Sequence, residues 1–135
     1  MCLELSKEQR KNKIPLVAKT DLVVYKFLKK TTVHRFSYND MRGEIIETLV
    51  TPYRQTMVDI GSTYESEFTF NCDGDVEMAL HSLKSLKSIK KLLKKSAINW
   101  LVCRCVIPKG SKYYQGKFNT MVSYASDTLK YLELI

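Results

Sequence analysis

Residues 99–116 read NWLVCRCVIPKGSKYYQG, and this stretch decides the expected fold. Asn99 to Ile107 is a run of β-branched, aromatic and cysteine side chains, which is typical of a buried strand. Pro108 and Gly110 then supply turn residues, and the chain returns from Lys112 onward. The stretch therefore predicts two strands joined by a tight turn.

Similar patterns on either side predict further strands. They cover five segments: 22–28, 33–38, 44–50, 63–70 and 128–135. Lys29 to Thr32 is expected to form a turn between the first two segments, and Asn39, Asp40 and Gly43 are expected to form a loop.

One principal amphipathic helix is predicted from about Leu83 to Ala97, with Ser82 as its N-cap. At 100° per residue, the leucines and isoleucine of this segment lie on one face and its lysines on the other. An apolar helix face of this kind packs on a sheet. We therefore expect an α+β fold, a mostly antiparallel sheet packed by one principal amphipathic helix.

The length of 135 residues favours a single domain spanning 1–135. Residues 1–20 mix charges without a clear period and contain Pro15, which indicates a loosely packed N-terminal arm. No apolar run approaches the roughly 20 residues that a membrane span needs. The first residues show no apolar core of a signal peptide. We therefore expect a cytoplasmic protein with no membrane partner.

The net charge of +8 is concentrated in one part of the chain. Residues 1–77 hold 11 basic and 12 acidic side chains, whereas residues 78–126 hold 10 basic and none that are acidic. A block of like charge destabilises a compact state unless an anionic partner offsets it. Nucleic acid is the partner that this distribution favours.

The basic block also contains tyrosines, which can stack on unpaired bases while lysines contact phosphates. The predicted nucleic-acid-binding residues are Lys84, Lys87, Lys90, Lys91, Lys94, Lys95, Arg104, Lys109, Lys112, Tyr113, Tyr114 and Lys117. Arginine is scarce among them, which favours phosphate attraction over the reading of base edges. The alternatives are that the tyrosines pack in the core and that the lysines form a solvated face.

The sequence contains no recognisable catalytic or metal-binding motif. Cys103 and Cys105 lack the Cys-x₂₋₄-Cys spacing of structural zinc sites and fit a strand core instead. His34 and His81 are isolated histidines, and the glycines form no phosphate-binding loop. We expect no metal, no cofactor and no enzymatic activity.

Six short motifs lie between residues 22 and 135. They are Val24-Tyr25-Lys26, Thr51-Pro52-Tyr53-Arg54, Ile60-Gly61-Ser62-Thr63-Tyr64, Ala79-Leu80-His81-Ser82-Leu83, Ile107-Pro108-Lys109-Gly110-Ser111-Lys112-Tyr113-Tyr114-Gln115-Gly116 and Ser123-Tyr124-Ala125-Ser126. Together they resemble a family of small, largely uncharacterised proteins of bacteriophages, prophages and Bacteroidetes genomes. Family members carry mixed charge where residues 84–95 are lysine-rich here.

This resemblance implies a phage accessory protein. Combined with the charge distribution, it predicts a non-enzymatic protein that binds RNA or a ribonucleoprotein in the host cytoplasm. An anti-defence role against a host defence protein, such as inhibition of a CRISPR effector, would suit a short basic phage protein.

Two alternatives stay open. One is a pocket for a nucleotide or signalling molecule, formed by Tyr53, Arg54 and His81. The other follows from a distant similarity to the end of ADP-ribosyltransferase domains, where a catalytic glutamate precedes the last strand. This chain has Ser126-Asp127 there, which implies a degenerate transferase-like domain.

Overall fold

A computed structural model describes residues 3–37, 40–51, 56–94, 100–118 and 121–135. In chain order the elements are α1 (Lys7–Asn12), β1 (Leu16–Val17), β2 (Leu22–Ser37), β3 (Asp40–Val50), β4 (Met57–Val58), β5 (Thr63–Glu65), β6 (Thr69–Phe70), β7 (Val76–Met78), β8 (Leu80–Leu83), α2 (Leu86–Leu93), β9 (Leu101–Ile107), β10 (Lys112–Phe118), β11 (Met121–Ser126) and β12 (Thr128–Leu134).

Ten of these strands form one sheet, and eight of them follow the order β1-β10-β11-β8-β2-β9-β12-β5. β3 extends the sheet by pairing with β2, and β4 pairs with β3. The pairs are antiparallel throughout, as predicted. Strands hold 58% of the described residues and helices 11%, so the fold is predominantly β rather than α+β.

The connection between β11 and β12 forces this sheet to curl. The two strands are separated in the sheet by β8, β2 and β9, yet Asp127 alone joins them along the chain. In a flat sheet, four strand spacings would hold their ends about 19 Å apart. Two residues of extended chain span at most about 7 Å. The sheet therefore bends into a ring, in which β11 and β12 act as one strand with a corner at Asp127.

Asp127 fixes this corner through its backbone and its side chain. Its N–H donates to the carbonyl of Lys112 at 3.0 Å, and its own carbonyl accepts from Ser66 N–H at 2.8 Å. Its Oδ1 accepts from Lys112 N–H and from Thr128 Oγ1, both at 3.1 Å. The corner is thus tied to β10 and to the residue that follows β5.

The interior of the ring is the main hydrophobic core. Each strand of the ring contributes to it, and its members include Val24, Leu80, Cys105, Tyr124 and Tyr131. Cys103 and Cys105 are fully buried there, which confirms their predicted role in core packing.

The ring is held least firmly between β2 and β8, which share one register pair, Tyr25 with Leu83. Next to this pair, Lys26 Nζ on β2 donates to the carbonyl of His81 on β8 at 2.7 Å. We call this junction the β2–β8 seam. The Lys26 side chain thus bridges the two strands where they share a single backbone register pair.

The N-terminal segment covers the outer face of β10 and β11. Leu3 and Leu5 are buried against Val76, Tyr114 and Ala125. The segment runs so close to β10 that a side chain at Gly116 would collide with the Glu4 carbonyl. The prediction of a loosely packed arm over 1–20 is therefore wrong for these residues.

A carboxylate also ties the N-terminal segment to the turn before β7. Asp75 accepts from Leu5 N–H at 3.0 Å and from Arg10 Nε at 2.8 Å. These contacts join residues 65 to 70 positions apart in the chain, which explains why local pattern did not reveal them.

Helix α2 covers the outer face of the ring over the β2–β8 seam, since it contacts both strands. Its Ile89 is fully buried, and Leu86 and Leu93 pack beside it against Leu83 and Val102. The helix has eight residues, so the predicted principal helix over 83–97 is not found at that length.

The predicted start of that helix was also wrong. Ser82 and Leu83 lie in β8 and pair with Tyr124 and Ser123 of β11. Both are buried, so Ser82 is a strand residue and not an N-cap. Residues 95–97 lie outside the described residues.

Three other predicted boundaries differ in the structure. β2 runs unbroken from Leu22 to Ser37, so Lys29 to Thr32 is strand and not turn. β3 begins at Asp40, which places Gly43 in a strand rather than in a loop. Segment 63–70 is divided between β5 and β6, which belong to different sheets.

The complete burial of Ile89 predicts that this side chain contributes strongly to the attachment of α2. We expect I89A to lower the free energy of unfolding by about 2–5 kcal/mol in urea titration, the usual cost of truncating a buried isoleucine. The matched control is I45A, because Ile45 is 66% exposed. Its effect should stay within about 0.5 kcal/mol. Equal effects of the two variants would contradict the anchoring role of Ile89.

The corner hydrogen bonds predict a graded response at Asp127. We expect D127A to lower the free energy of unfolding by about 0.5–1.5 kcal/mol, because the exposed Lys112 N–H loses its side-chain acceptor. D127N keeps an oxygen acceptor and should recover most of this loss in the same urea titration. An alanine variant as stable as the wild type would show that the corner does not need the side chain.

Candidate nucleic-acid interface

The outward face of α2 is a stripe of lysines. Lys87, Lys90, Lys91 and Lys94 are all exposed, and at 3.6 residues per turn they fall within an arc of about 100°. Ile89 faces the opposite direction, into the sheet. A hollow of about 570 Å³ opens among these lysines, with Leu86 also in its wall.

These lysines lack acidic partners among the described residues. The ion pairs there join Arg10 to Glu4 and Asp75, Lys30 to Glu47, and Arg104 to Glu133. The first turn of α2 contains no acidic residue. Lys87 therefore lies near the positive end of the helix dipole without compensation.

Two more lysines lie beside the start of α2. Lys117 on β10 pairs with Val122 on β11, and on the other side Lys84 N–H donates to the Val122 carbonyl at 3.2 Å. Lys84 and Lys117 are both exposed, and two strand spacings separate them by about 10 Å. Leu83 packs under α2 on the outer face, whereas Lys84, Val122 and Lys117 alternate onto the other face of the sheet, with Tyr124. We therefore give the name lysine patch to the four residues on the outward face of α2: Lys87, Lys90, Lys91 and Lys94.

Lys109 and Lys112 are separated from Lys117. They lie beyond β9 and at the start of β10, whereas Lys117 is near the other end of β10, about 17 Å away along the strand. Aspartates lie close to both: Asp21 accepts from Lys109 N–H at 2.8 Å, and Asp127 accepts from Lys112 N–H at 3.1 Å. The predicted binding residues are therefore divided between two ends of the sheet.

Arg104 is occupied by an internal ion pair. Its guanidinium donates to the carboxylate of Glu133 on the neighbouring strand β12. It lies on the outer face of β9, opposite Tyr25. The structure thus gives Arg104 an ion-pairing partner that the basic block in the sequence did not suggest.

The two predicted stacking tyrosines are engaged within the fold. Tyr114 is buried, its hydroxyl donates to the Lys13 carbonyl at 2.7 Å, and burial raises its pKa. The prediction that Tyr114 contacts nucleic acid is wrong, because its ring packs edge-on against Phe68 and Phe70. Tyr113 is half-buried and packs at 5.5 Å against the ring of Tyr124.

The alternative ligand pocket falls partly outside the described residues. Tyr53 and Arg54 lie there, as does Lys95 of the predicted interface. His81 is half-buried on β8, with its Nε2 3.3 Å from the Glu77 carbonyl. The structure therefore describes one of the three predicted pocket residues.

Sequence reasoning missed Lys26, a half-buried lysine on the inner side of the ring. Burial lowers the pKa of Lys26 from 10.5 to about 8, with a smaller opposing effect from Cys105. The signal was present in the sequence, because Val24, Lys26 and Leu28 alternate along one strand face. Since Val24 and Leu28 belong to the core, the residue midway between them points to the same inner face.

Other chemistry is limited in the part of the chain that the structure describes. There, no three His, Cys, Asp or Glu residues lie close enough to hold a metal ion. None of the helices in that part is long and apolar enough to cross a membrane. Asp127, which the predicted similarity to transferases would align with their glutamate, accepts hydrogen bonds at its Oδ1 from Lys112 N–H and Thr128 Oγ1.

No protein-family model matches the sequence, and no curated protein or solved structure matches it significantly. The similarity of residues 22–135 to small phage proteins therefore stays a prediction. The functional evidence is the charge and the geometry of the chain itself.

The lowered pKa of Lys26 predicts a specific pH dependence of stability. Between pH 8 and 10.5 the unfolded chain holds a proton on Lys26 that the folded chain has lost, so this group's contribution to the free energy of unfolding rises with pH. We expect the difference in stability between wild type and K26M to rise across that window. The control is K29M on the same strand, because Lys29 is exposed. A flat difference for K26M would contradict the interior placement.

Proposed function

We propose that this protein binds RNA, free or within a ribonucleoprotein, through the lysine patch. The observation that carries the proposal is the stripe of four exposed lysines on α2, which has no ion-pairing partner among the described residues. We further propose that the protein is non-enzymatic.

The energetics of α2 support a polyanionic partner. Lysines three and four positions apart repel one another on a helix by roughly 0.2–0.5 kcal/mol per pair, and Lys87, Lys90, Lys91 and Lys94 form several such pairs. Packing of Ile89 and its neighbours holds the helix in place despite this repulsion. Phosphates would remove the repulsion and would release bound counterions on association.

The biological setting that we propose is a phage-encoded protein acting in the host cytoplasm. The predicted resemblance to phage proteins is the basis for this setting, and the RNA of a host defence complex, such as a CRISPR effector, is a polyanion of the required kind. Inhibition would then result from occupation of RNA in that complex by the lysine patch.

Removal of the stripe charges tests RNA binding directly. We expect K87Q/K91Q/K94Q to weaken RNA binding and to reduce the slope of log K against log salt by about 2–3, because each lost phosphate contact removes about 0.7–0.9. The measurement is fluorescence anisotropy of a labelled RNA at several salt concentrations. Equal midpoints of thermal unfolding for the wild type and the triple variant would show that the variant is folded.

The control for total charge is K7Q/K11Q/K19Q, since these exposed lysines lie in the N-terminal segment. It should change the affinity and the slope much less. An equal loss in both variants would show that net charge, and not the lysine patch, drives binding. The second control is polyglutamate with the same number of charges as the RNA. If the protein binds polyglutamate as tightly as it binds RNA, an acidic protein partner is indicated instead.

A further inference from the structure

We propose that one open end of the ring interior binds a compact diphosphate anion, held by Lys26, Ser82 and Lys84. The diphosphate is either free pyrophosphate or part of a nucleotide. This site lies on the inner face of the sheet, whereas the lysine patch lies on the outer side of α2. The inference therefore goes beyond the proposed function and does not rest on it.

The three residues meet at the β2–β8 seam. Tyr25 of β2 pairs with Leu83 of β8, and both side chains belong to the cluster under α2 on the outer face. Because side chains alternate along a strand, Lys26, Ser82 and Lys84 point to the inner face. Lys26 and Lys84 are diagonal neighbours across the seam, about 7–8 Å apart and within reach of long side chains. One small anion can therefore contact both ammonium groups.

Lys26 is a half-buried cation without a carboxylate partner among the described residues. Its Nζ donates to the His81 carbonyl at 2.7 Å, and an ammonium group has three hydrogens to donate. Burial lowers the pKa of Lys26 to about 8, so the group still carries its charge at neutral pH. A partly desolvated charge without a counterion is costly, and a bound anion would offset that cost.

Ser82 adds a buried hydroxyl to the same place. The residue is 4% exposed, and its Oγ has no hydrogen-bond partner among the described residues. Ser82 pairs with Tyr124, which belongs to the main core, so its side chain points inward beside Lys26. A buried hydroxyl without a partner costs free energy, and a phosphate oxygen would accept its hydrogen.

Solvent reaches the inner face at the Lys84 end of β8. Lys84 N–H donates to the Val122 carbonyl at 3.2 Å, which places the two residues side by side. Lys84 is exposed and Val122 is 36% exposed, whereas Val24 on the same inner face is fully buried. The interior is therefore filled around Val24 and open beside Lys84, where a ligand can enter.

The donor groups favour phosphate over a carboxylate. Lysine acts as a point charge toward phosphate, whereas the planar fork of arginine matches a carboxylate. The arginine nearest in register is Arg104, which lies on the outer face and is paired with Glu133. A diphosphate has oxygens on two phosphorus atoms, so it can accept from both lysines and from the hydroxyl at once.

The test is isothermal titration calorimetry of the full chain with inorganic pyrophosphate at about 100 mM salt. We expect K26M and K84Q each to weaken binding at least about tenfold, because each removes a charge-assisted hydrogen bond. The matched control is K29Q, since Lys29 is exposed on the same strand and alternates onto the other face. Its affinity should stay within about twofold of the wild-type value.

A second measurement uses the wild-type protein and does not depend on the folding of a variant. NMR titration of the lysine side chains gives the pKa of Lys26 with and without pyrophosphate, and the K26M spectrum identifies the signal. We expect saturating pyrophosphate to raise this pKa from about 8 toward 10.5, because a nearby anion favours the charged amine. An unchanged pKa would overturn the inference.

ADP is the second probe and distinguishes the two sources of the diphosphate. Tighter binding of ADP than of pyrophosphate would assign a nucleotide, and weaker binding would assign the free anion. K87Q/K91Q/K94Q should bind both probes as the wild type does. A loss in that variant or in K29Q equal to the loss in K26M would overturn the inference. Absence of binding of both probes to the wild type would also overturn it, and RNA binding by the lysine patch would stand in either case.

Discussion

One residue between two strands constrains the whole molecule. Asp127 joins β11 to β12, and the sheet must curl because three strands lie between them. Its carbonyl, its N–H and its carboxylate all have partners at that corner. A bend interrupts the regular backbone pairing of a strand, and these hydrogen bonds replace it. The core in the ring interior exists because this corner closes.

Closure of the ring also determines where binding can occur. The interior is filled by side chains such as Cys105 and Tyr131, both essentially unexposed, so the RNA binding that we propose uses the outside. There the N-terminal segment covers one region and α2 another. The apolar side chains of α2 pack on the sheet. Its lysines face outward because the helix repeats every 3.6 residues. A stable attachment and a basic surface thus come from one short helix.

Local pattern predicted those parts of the fold that local chemistry controls. The strands at 101–107 and 128–134 follow from composition, and the exposed lysines of α2 follow from spacing. The predictions were wrong where contacts with residues distant in the sequence determine the structure. Ser82 became a strand residue because β11 pairs with it, and Tyr114 became a core residue because the N-terminal segment covers it. The basic residues are divided between two ends of the sheet because of the directions in which their strands run. A count of charges along the chain gives no information on strand direction.

The position of α2 couples ligand occupancy to the integrity of the fold. The helix lies over the β2–β8 seam, where one register pair and the bond from Lys26 to His81 hold the ring together. A ligand that binds α2 only in its docked position favours the closed seam by mass action. By the same thermodynamic reciprocity, any change that loosens the seam lowers the affinity of a surface that it never touches. The binding surface that we propose and the weakest junction of the ring are thus linked through a single helix.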